Sequence, residues 1–216
     1  MEALVLGGTG LVGKDVVNLL LEDERYEKVT SLVRRKLPLE HKRLNQVKID
    51  FSRMDQWAEK FCASHLFCCL GTTIKKAKSK EMFEEVDYKY VIQAAKLLKK
   101  NGGKHFILVS AMGANSKSSV FYNKVKGRVE DDVLKFGPPQ VTVVRPSLLL
   151  GPREESRLGE KVGEFFMKPL GFLLRGSLRQ YAAIKSIEVA RKMIEKANGE
   201  KSEVDIPWAK TFSSDN

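Results

Sequence analysis

Ala3-Leu-Val-Leu-Gly7-Gly-Thr-Gly10-Leu-Val-Gly13 decides the fold. Four apolar residues in a row read as a strand buried on both faces, the pattern of a parallel sheet. Glycines follow at positions 7, 10 and 13, and an amphipathic helix over Leu11 to Leu21 comes directly after. Each glycine has its own use at such a junction. Gly7 allows a tight turn, Gly10 lets backbone come close to a pyrophosphate, and Gly13 lets the helix pack against the strand. The helix start offers free N–H groups and partial positive charge to phosphates. A strand, a glycine turn and a helix in this order read as a dinucleotide-binding turn.

The rest of the chain repeats the unit. Strands are expected at Val29–Val33, Val47–Phe51, His65–Leu70, Phe106–Val109 and Val141–Val144. Helices are expected over Met54–Phe61, Ser79–Lys100, Ser118–Phe136 and Ser186–Ala197. Asn101-Gly102-Gly103 ends the long second of these. Residues 34–46 are at the lower limit for a crossover carrying a helix, so a loop or a single turn is expected there. Alternating strands and helices predict an α/β fold, a Rossmann-like doubly wound parallel sheet with helices on both faces. The pattern loosens from Leu148, so residues 148–185 are read as a small C-terminal substrate region of a single 216-residue domain. Residues 209–216 are polar and are expected to fray.

Lys and Arg total 38 against 27 Asp and Glu, a formal net charge of +11. That surface favours anionic ligands, phosphorylated cofactors among them. The densest lysine cluster, Lys75, Lys76, Lys78 and Lys80, has no nucleic-acid signature beside it, so no nucleic-acid partner is expected. No apolar run approaches the ~20 residues of a membrane span. Met1-Glu2 lacks the basic start of a secretory signal, and the protein is read as cytosolic. Cys62, Cys68 and Cys69 are an odd set with an adjacent pair, unlike a disulfide framework. They are read as buried small apolar residues, with a redox-sensing thiol as the alternative, and no metal site is read.

Arg34-Arg35 follow the second strand, where NAD-specific sites usually carry an acid for the ribose 2′-hydroxyl. A guanidinium fork suits a 2′-phosphate instead, so the cofactor is read as NADP. Asp50, ending the third strand, is placed near the adenine amino group. Tyr122 and Lys126 are one helical turn apart on a shared face. An ammonium beside a phenol favours its charged form, which makes a general acid–base, and Lys126 is also positioned to hold the nicotinamide ribose. Ser110, at the end of the fifth strand, is read as polarising a substrate carbonyl.

Gly7, Gly10, Gly13, Ser110, Tyr122 and Lys126 together resemble the short-chain dehydrogenase/reductase superfamily. The closer likeness is to its atypical branch, the Tat-interacting-protein-like oxidoreductases. That likeness rests on Leu32-Val-Arg-Arg-Lys36, Phe67-Cys-Cys-Leu-Gly-Thr-Thr73, Val86-Asp-Tyr-Lys-Tyr-Val91, Lys104-His-Phe106, Lys124-Val-Lys-Gly-Arg-Val-Glu130, Arg145-Pro-Ser-Leu-Leu-Leu150 and Arg153-Glu-Glu-Ser-Arg-Leu-Gly-Glu160. It spans residue 1 to about residue 195. The resemblance implies that Thr9, Gly10, Leu11, Val12, Arg34, Arg35, Leu70 and Gly71 contact NADP. It implies Tyr122 as proton donor or acceptor with Lys126 as its partner, and Leu149 and Arg157 at the nicotinamide end. Arg153 and Arg157 would also meet an anionic substrate group. The chain departs from the superfamily in lacking an asparagine-rich turn after the fourth strand. It carries Ala111, has Ser147 where glycine often follows Arg-Pro, and has Asp87 where relatives carry asparagine.

The sequence therefore implies an NADP(H)-dependent oxidoreductase acting on a carbonyl/hydroxyl substrate. The alternative is an NADP(H)-binding redox sensor or regulatory scaffold, since the branch includes NADP-bound regulators. A scaffold would meet its protein partner through the apolar stretch Val162 to Leu174. Monomer and homodimer both fit the sequence.

Overall fold

A computed structural model describes residues 1–150, 183–199 and 209–213. Its strands are β1 (Glu2–Leu6), β2 (Lys28–Val33), β3 (Leu44–Lys48), β4 (His65–Cys68), β5 (His105–Val109), β6 (Gln140–Val144), β7 (Leu149–Leu150), β8 (Ile184–Lys185) and β9 (Ala209–Ser213). Its helices are α1 (Leu11–Glu22), α2 (Ile74–Ala77), α3 (Lys80–Glu84), α4 (Tyr90–Lys100), α5 (Phe121–Phe136) and α6 (Ser186–Ala197). A 3₁₀ segment covers Phe51–Phe61, and a π-helical segment, Glu85–Lys89, joins α3 to α4.

Seven strands form one sheet in the order β3-β2-β1-β4-β5-β6-β9, parallel except for the antiparallel β6–β9 edge. Side chains alternate across it, as the pleat requires. Leu4, Leu6, Leu66 and Leu108 meet the 3₁₀ segment, α4 and α5 on one face. Ala3, Val5, Phe67 and Ile107 meet α1 and α6 on the other. Burial on both faces explains the unbroken apolar runs of β1 and β4. The fold is the doubly wound α/β sheet expected. Its strand order reverses between β1 and β4, and ligands of such sheets bind in the crevice beyond the carboxyl ends of the strands at that point.

Three local expectations are corrected. The third strand is Leu44–Lys48, three residues earlier than expected. It is the edge strand and pairs with β2 only, so its exposed Asn45 and half-buried Gln46 are tolerated, and the apolar Ile49 and Phe51 lie past its end. Gln46 also holds the short β2–β3 loop: its amide bonds the Leu37 N–H at 2.7 Å and the Leu39 carbonyl at 2.9 Å. The fifth helix begins at Phe121, because Val120 is extended and Ser118 caps a turn by accepting the Val120 N–H at 3.1 Å. The tail expected to fray from Ala209 forms β9 instead, pairing Ala209 to Ser213 against β6. Thr211 contributes a hydroxyl contact to Thr142 at 2.7 Å.

A polar chain runs through the amino-terminal ends of the strands. Asn198 donates to the Tyr26 hydroxyl at 3.0 Å, and Tyr26 bonds His65 Nδ1 at 2.8 Å. The His65 and His105 rings meet edge-to-face at 5.7 Å, and His105 Nε2 bonds Thr142 Oγ1 at 2.8 Å. Burial above all keeps both imidazoles neutral, lowering each to about 4. Each also has a lesser influence: His105 adds to the effect on His65, and the Ala197 carbonyl opposes it at His105.

Candidate functional site

The glycine turn lies at the switch point. Gly7 takes φ +78°, and a Cβ there would stand 2.4 Å from the Cys69 carbonyl oxygen on the neighbouring strand end. Gly10 N–H donates to the Gly7 carbonyl at 2.9 Å and closes the turn. A Cβ on Gly13 would lie 2.1 Å from that same Gly7 oxygen, so the helix approaches the strand as closely as glycine permits. Both contacts are with backbone, which no rotamer can relieve. Gly13→Ala is therefore expected to cost about 3 kcal/mol or more, at the top of the overpacking range. Urea denaturation checks this, and a cost within ~0.5 kcal/mol, typical of a neutral surface change, would show that α1 can shift freely.

Gly10 caps α1 without a side chain, and the first intrahelical bond runs from Lys14 N–H to the Gly10 carbonyl. The amides of Leu11, Val12 and Gly13 precede that bond and face out from the helix end. Thr9 and Gly10 are exposed, and a Cβ on Gly10 would meet only the Gly7 oxygen, at 3.2 Å. This is a cradle shaped for a phosphate, and it fits the pyrophosphate of a dinucleotide.

Arg34 and Arg35 stand exposed at the carboxyl end of β2, and neither pairs with a carboxylate among the described residues. Tyr90, close enough to feel the charges of Arg34 and Asp50, stacks tilted on Phe51 at 6.0 Å. Burial, with Glu85 and Asp50, holds its phenol above the ordinary value while Arg34 works against them. Asp50 is less free than the sequence suggested. Its Oδ1 accepts from the Ser52 N–H at 2.9 Å and the Ser52 hydroxyl at 2.7 Å, capping the 3₁₀ segment. Those bonds hold its carboxyl below the usual range.

At the other end of the crevice, Leu70 and Gly71 follow β4. Tyr122 and Lys126 lie one turn apart on α5, as expected. Tyr122 is half-buried and packs on Phe83 at 5.5 Å. Lys126 is buried, and its ammonium pairs with Asp87 at 2.7 Å. Burial opposes the ammonium, but Asp87, with a further contribution from Tyr122, outweighs it and holds Lys126 above the ordinary lysine value. The sequence reading gave Lys126 the phenol and the nicotinamide ribose as partners, and no carboxylate. The buried acid on the π-helical segment was visible only as a departure from the superfamily, although Phe83, Asp87 and Val91 share one apolar stripe.

Ser110 is the larger correction. Its hydroxyl donates to Glu130, and Arg145 Nε donates to the same carboxylate at 3.1 and 3.0 Å. Glu130 is 4% exposed, and a carboxylate removed from water takes the donors near it. The Ser110 hydroxyl is thus bound within the protein and not presented to a carbonyl. Glu130 itself continues the Tyr122–Lys126 face of α5 by one more turn, a spacing that could have revealed it. Cys68 is buried and its thiol is pushed up to about 12, which argues against a redox-sensing role for it. Cys62 is exposed, contrary to its reading as a buried residue. Leu149 is half-buried in β7, packed near the face of α1 and α6. Arg153, Arg157 and Val162 to Leu174 lie outside the described residues, so the substrate end is not described.

Among the described residues, no helix is long and apolar enough to cross a membrane, and no cluster of His, Cys, Asp or Glu could hold a metal ion.

The profile of a family described as NAD(P)H-binding matches residues 7–166. The protein HTATIP2 of Rattus norvegicus is 40% identical over 173 residues, covering 78% of this chain and 71% of the relative. A Candida albicans protein named FMP52, mitochondrial, is 34% identical over 208 residues, covering 93% of this chain and 91% of its own. Other fungal relatives carry the same description. Those names overturn the cytosolic expectation, which rested on the first residues of the sequence and on the length of its apolar runs. Among solved structures, MoeE5 in complex with UDP-glucuronic acid and NAD superposes with a TM-score of 0.71 at 15% identity, covering 94% of this chain and 74% of that one. At that identity the likeness concerns the fold.

Proposed function

Since this chain belongs to the NAD(P)H-binding family, on the atypical short-chain dehydrogenase/reductase branch of its HTATIP2 relative, we propose that it is an NADP(H)-dependent oxidoreductase acting on a carbonyl/hydroxyl pair. The observation that carries the reading is the placement of Tyr122 and buried Lys126 on α5, beside the loop that follows the switch-point strand. The amides at the start of α1 hold the pyrophosphate, and Arg34 and Arg35 hold the 2′-phosphate. Lys126 holds the nicotinamide ribose. When bound, the cofactor supplies or accepts the hydride at its nicotinamide. Tyr122 gives a proton to the substrate oxygen in reduction and takes it back in oxidation. Ser110 and Glu130 brace the end of β5 against Arg145.

The test is turnover of a panel of aldehydes and ketones with NADPH. This reading expects at least one class to be reduced, with the activity lost in Tyr122→Phe. A protein that binds NADPH tightly yet reduces none of them favours a second reading, a redox sensor or regulatory scaffold. Two observations lean toward it: Ser110 is committed to Glu130, and the charge of Lys126 is cancelled by Asp87. The names of the fungal relatives support a mitochondrial location, which organelle fractionation checks.

Cofactor choice has its own test. Arg34→Ala with Arg35→Ala is expected to weaken NADPH binding by roughly tenfold to a hundredfold, since a bond to a charged group contributes about 1.5–3 kcal/mol. NADH binding should not change. Equal losses for both cofactors would remove the 2′-phosphate role.

A further inference from the structure

Asp87 is 0% exposed and both of its oxygens are engaged. Oδ1 faces the Lys126 ammonium at 2.7 Å, and Oδ2 accepts the Thr72 N–H at 2.8 Å. The two groups it joins come from different elements: α5, and the loop that leaves the switch-point strand β4. Gly71 sits between them. A Cβ there would stand 3.4 Å from Asp87 Oδ1 and 3.9 Å from Lys126 Nζ. The backbone that carries Asp87 is the π-helical segment Glu85–Lys89, a local widening of the helix of the kind found frequently at functional sites.

We propose that Asp87 is a positioning residue for the cofactor site, fixing the Lys126 ammonium and the Gly71-Thr72 loop as one unit. The proposal rests on the reading of Lys126 as a ribose contact. An asparagine could not do the same work. It offers one oxygen and one N–H₂ group, so it would turn a donor toward either the ammonium or the Thr72 N–H. The carboxylate also makes the pair neutral, which leaves the phosphate charges of the cofactor to Arg34, Arg35 and the α1 amides. The groups that face Lys126 are Asp87 from the π-helical segment, Tyr122 from its own helix and Cys68 from β4. Of these, Asp87 contributes most to keeping the lysine charged, against the burial that opposes it.

The experiment titrates NADPH by fluorescence from pH 7 to 9.5 on the full chain, with thermal unfolding alongside. The native protein should show no loss of affinity attributable to Lys126 over that range. Asp87→Asn should bind about tenfold more weakly at pH 7 and lose roughly another tenfold by pH 9.5, as the buried lysine sheds its proton. Lys126→Met should bind weakly without that pH dependence. The double variant should bind no more weakly than Lys126→Met, since the two residues act as one. It should also unfold at a higher temperature than Asp87→Asn, because it leaves no buried charge alone. A loss in Asp87→Asn that is the same at every pH and adds to that of Lys126→Met overturns the proposal. So does a double variant no more stable than Asp87→Asn, for then the carboxylate serves the loop alone. A Lys126→Met protein that binds NADPH as tightly as the native chain fails differently: it removes the ribose contact on which the proposal rests.

Discussion

Tyr122→Phe is expected to lower kcat for carbonyl reduction by about 10²- to 10⁴-fold, the usual contribution of a positioned general acid. That is roughly 3 to 5 kcal/mol of transition-state stabilisation. The substitution removes one oxygen and leaves the ring, whose packing on Phe83 at 5.5 Å needs no hydroxyl. Folding stability should therefore hold within ~0.5 kcal/mol, the range of surface changes that break no contact. NADPH affinity should hold within about twofold, because the proton is needed in the transition state and not in the ground state. Steady-state kinetics with cofactor titration separates the outcomes. A fall in affinity with unchanged kcat would make Tyr122 a binding residue, and unchanged kinetics would end its catalytic role.

The second large effect is on stability. Folded His65 and His105 titrate at about 4, against an unfolded value of 6.5. Above pH 6.5 both states hold them neutral, and their burial costs no protonation energy. Below it the unfolded chain takes up protons that the folded chain refuses, so stability falls as the pH drops toward 4. Each histidine can remove up to about 1.4 kcal/mol per pH unit, or about 3 kcal/mol over the window as an upper bound. Lowered carboxyls such as Asp23 and Asp50 act only below their ordinary 3.8, outside this window. Urea midpoints at pH 7.5 and pH 5 should differ by several kcal/mol in unfolding free energy, on the order of 4 for the pair. Equal stability at the two values would mean that the Tyr26–His65–His105–Thr142 chain opens to water when protonated.

The parts of the fold legible in the sequence were those set by local rules. The glycines at 7, 10 and 13 answer to backbone contacts within a few residues and to one neighbouring strand, so spacing alone reveals them. Strands β1 and β4 are buried on both faces and announce themselves as apolar runs. The edge strand β3 does not, because one of its sides is free of the core, and its Asn45 and Gln46 disguise it. Strand β9 pairs with β6 across some seventy residues of chain, a distance at which polar composition says nothing about pairing. The site shows the same division. Tyr122 and Lys126 are related by helix geometry and were placed together, whereas the partners that redirect Ser110 and Lys126 arrive from other elements. Glu130 and Asp87 are long-range contacts, and a buried carboxylate attracts whichever donor the tertiary fold brings near it. The cytosolic reading failed for another reason: neither Met1-Glu2 nor the apolar residues after it select a compartment.

The central claim is that the turn from Gly7 to Gly13 and the pair Arg34-Arg35 hold NADP(H) with Tyr122 at its reactive end. A crystal structure of the chain grown with saturating NADPH tests it most directly. The account predicts the pyrophosphate on the amides at the start of α1, the 2′-phosphate between the two guanidinium groups, and the Tyr122 hydroxyl facing the nicotinamide. A cofactor bound elsewhere, or one whose nicotinamide lies away from Tyr122 and Lys126, would contradict it.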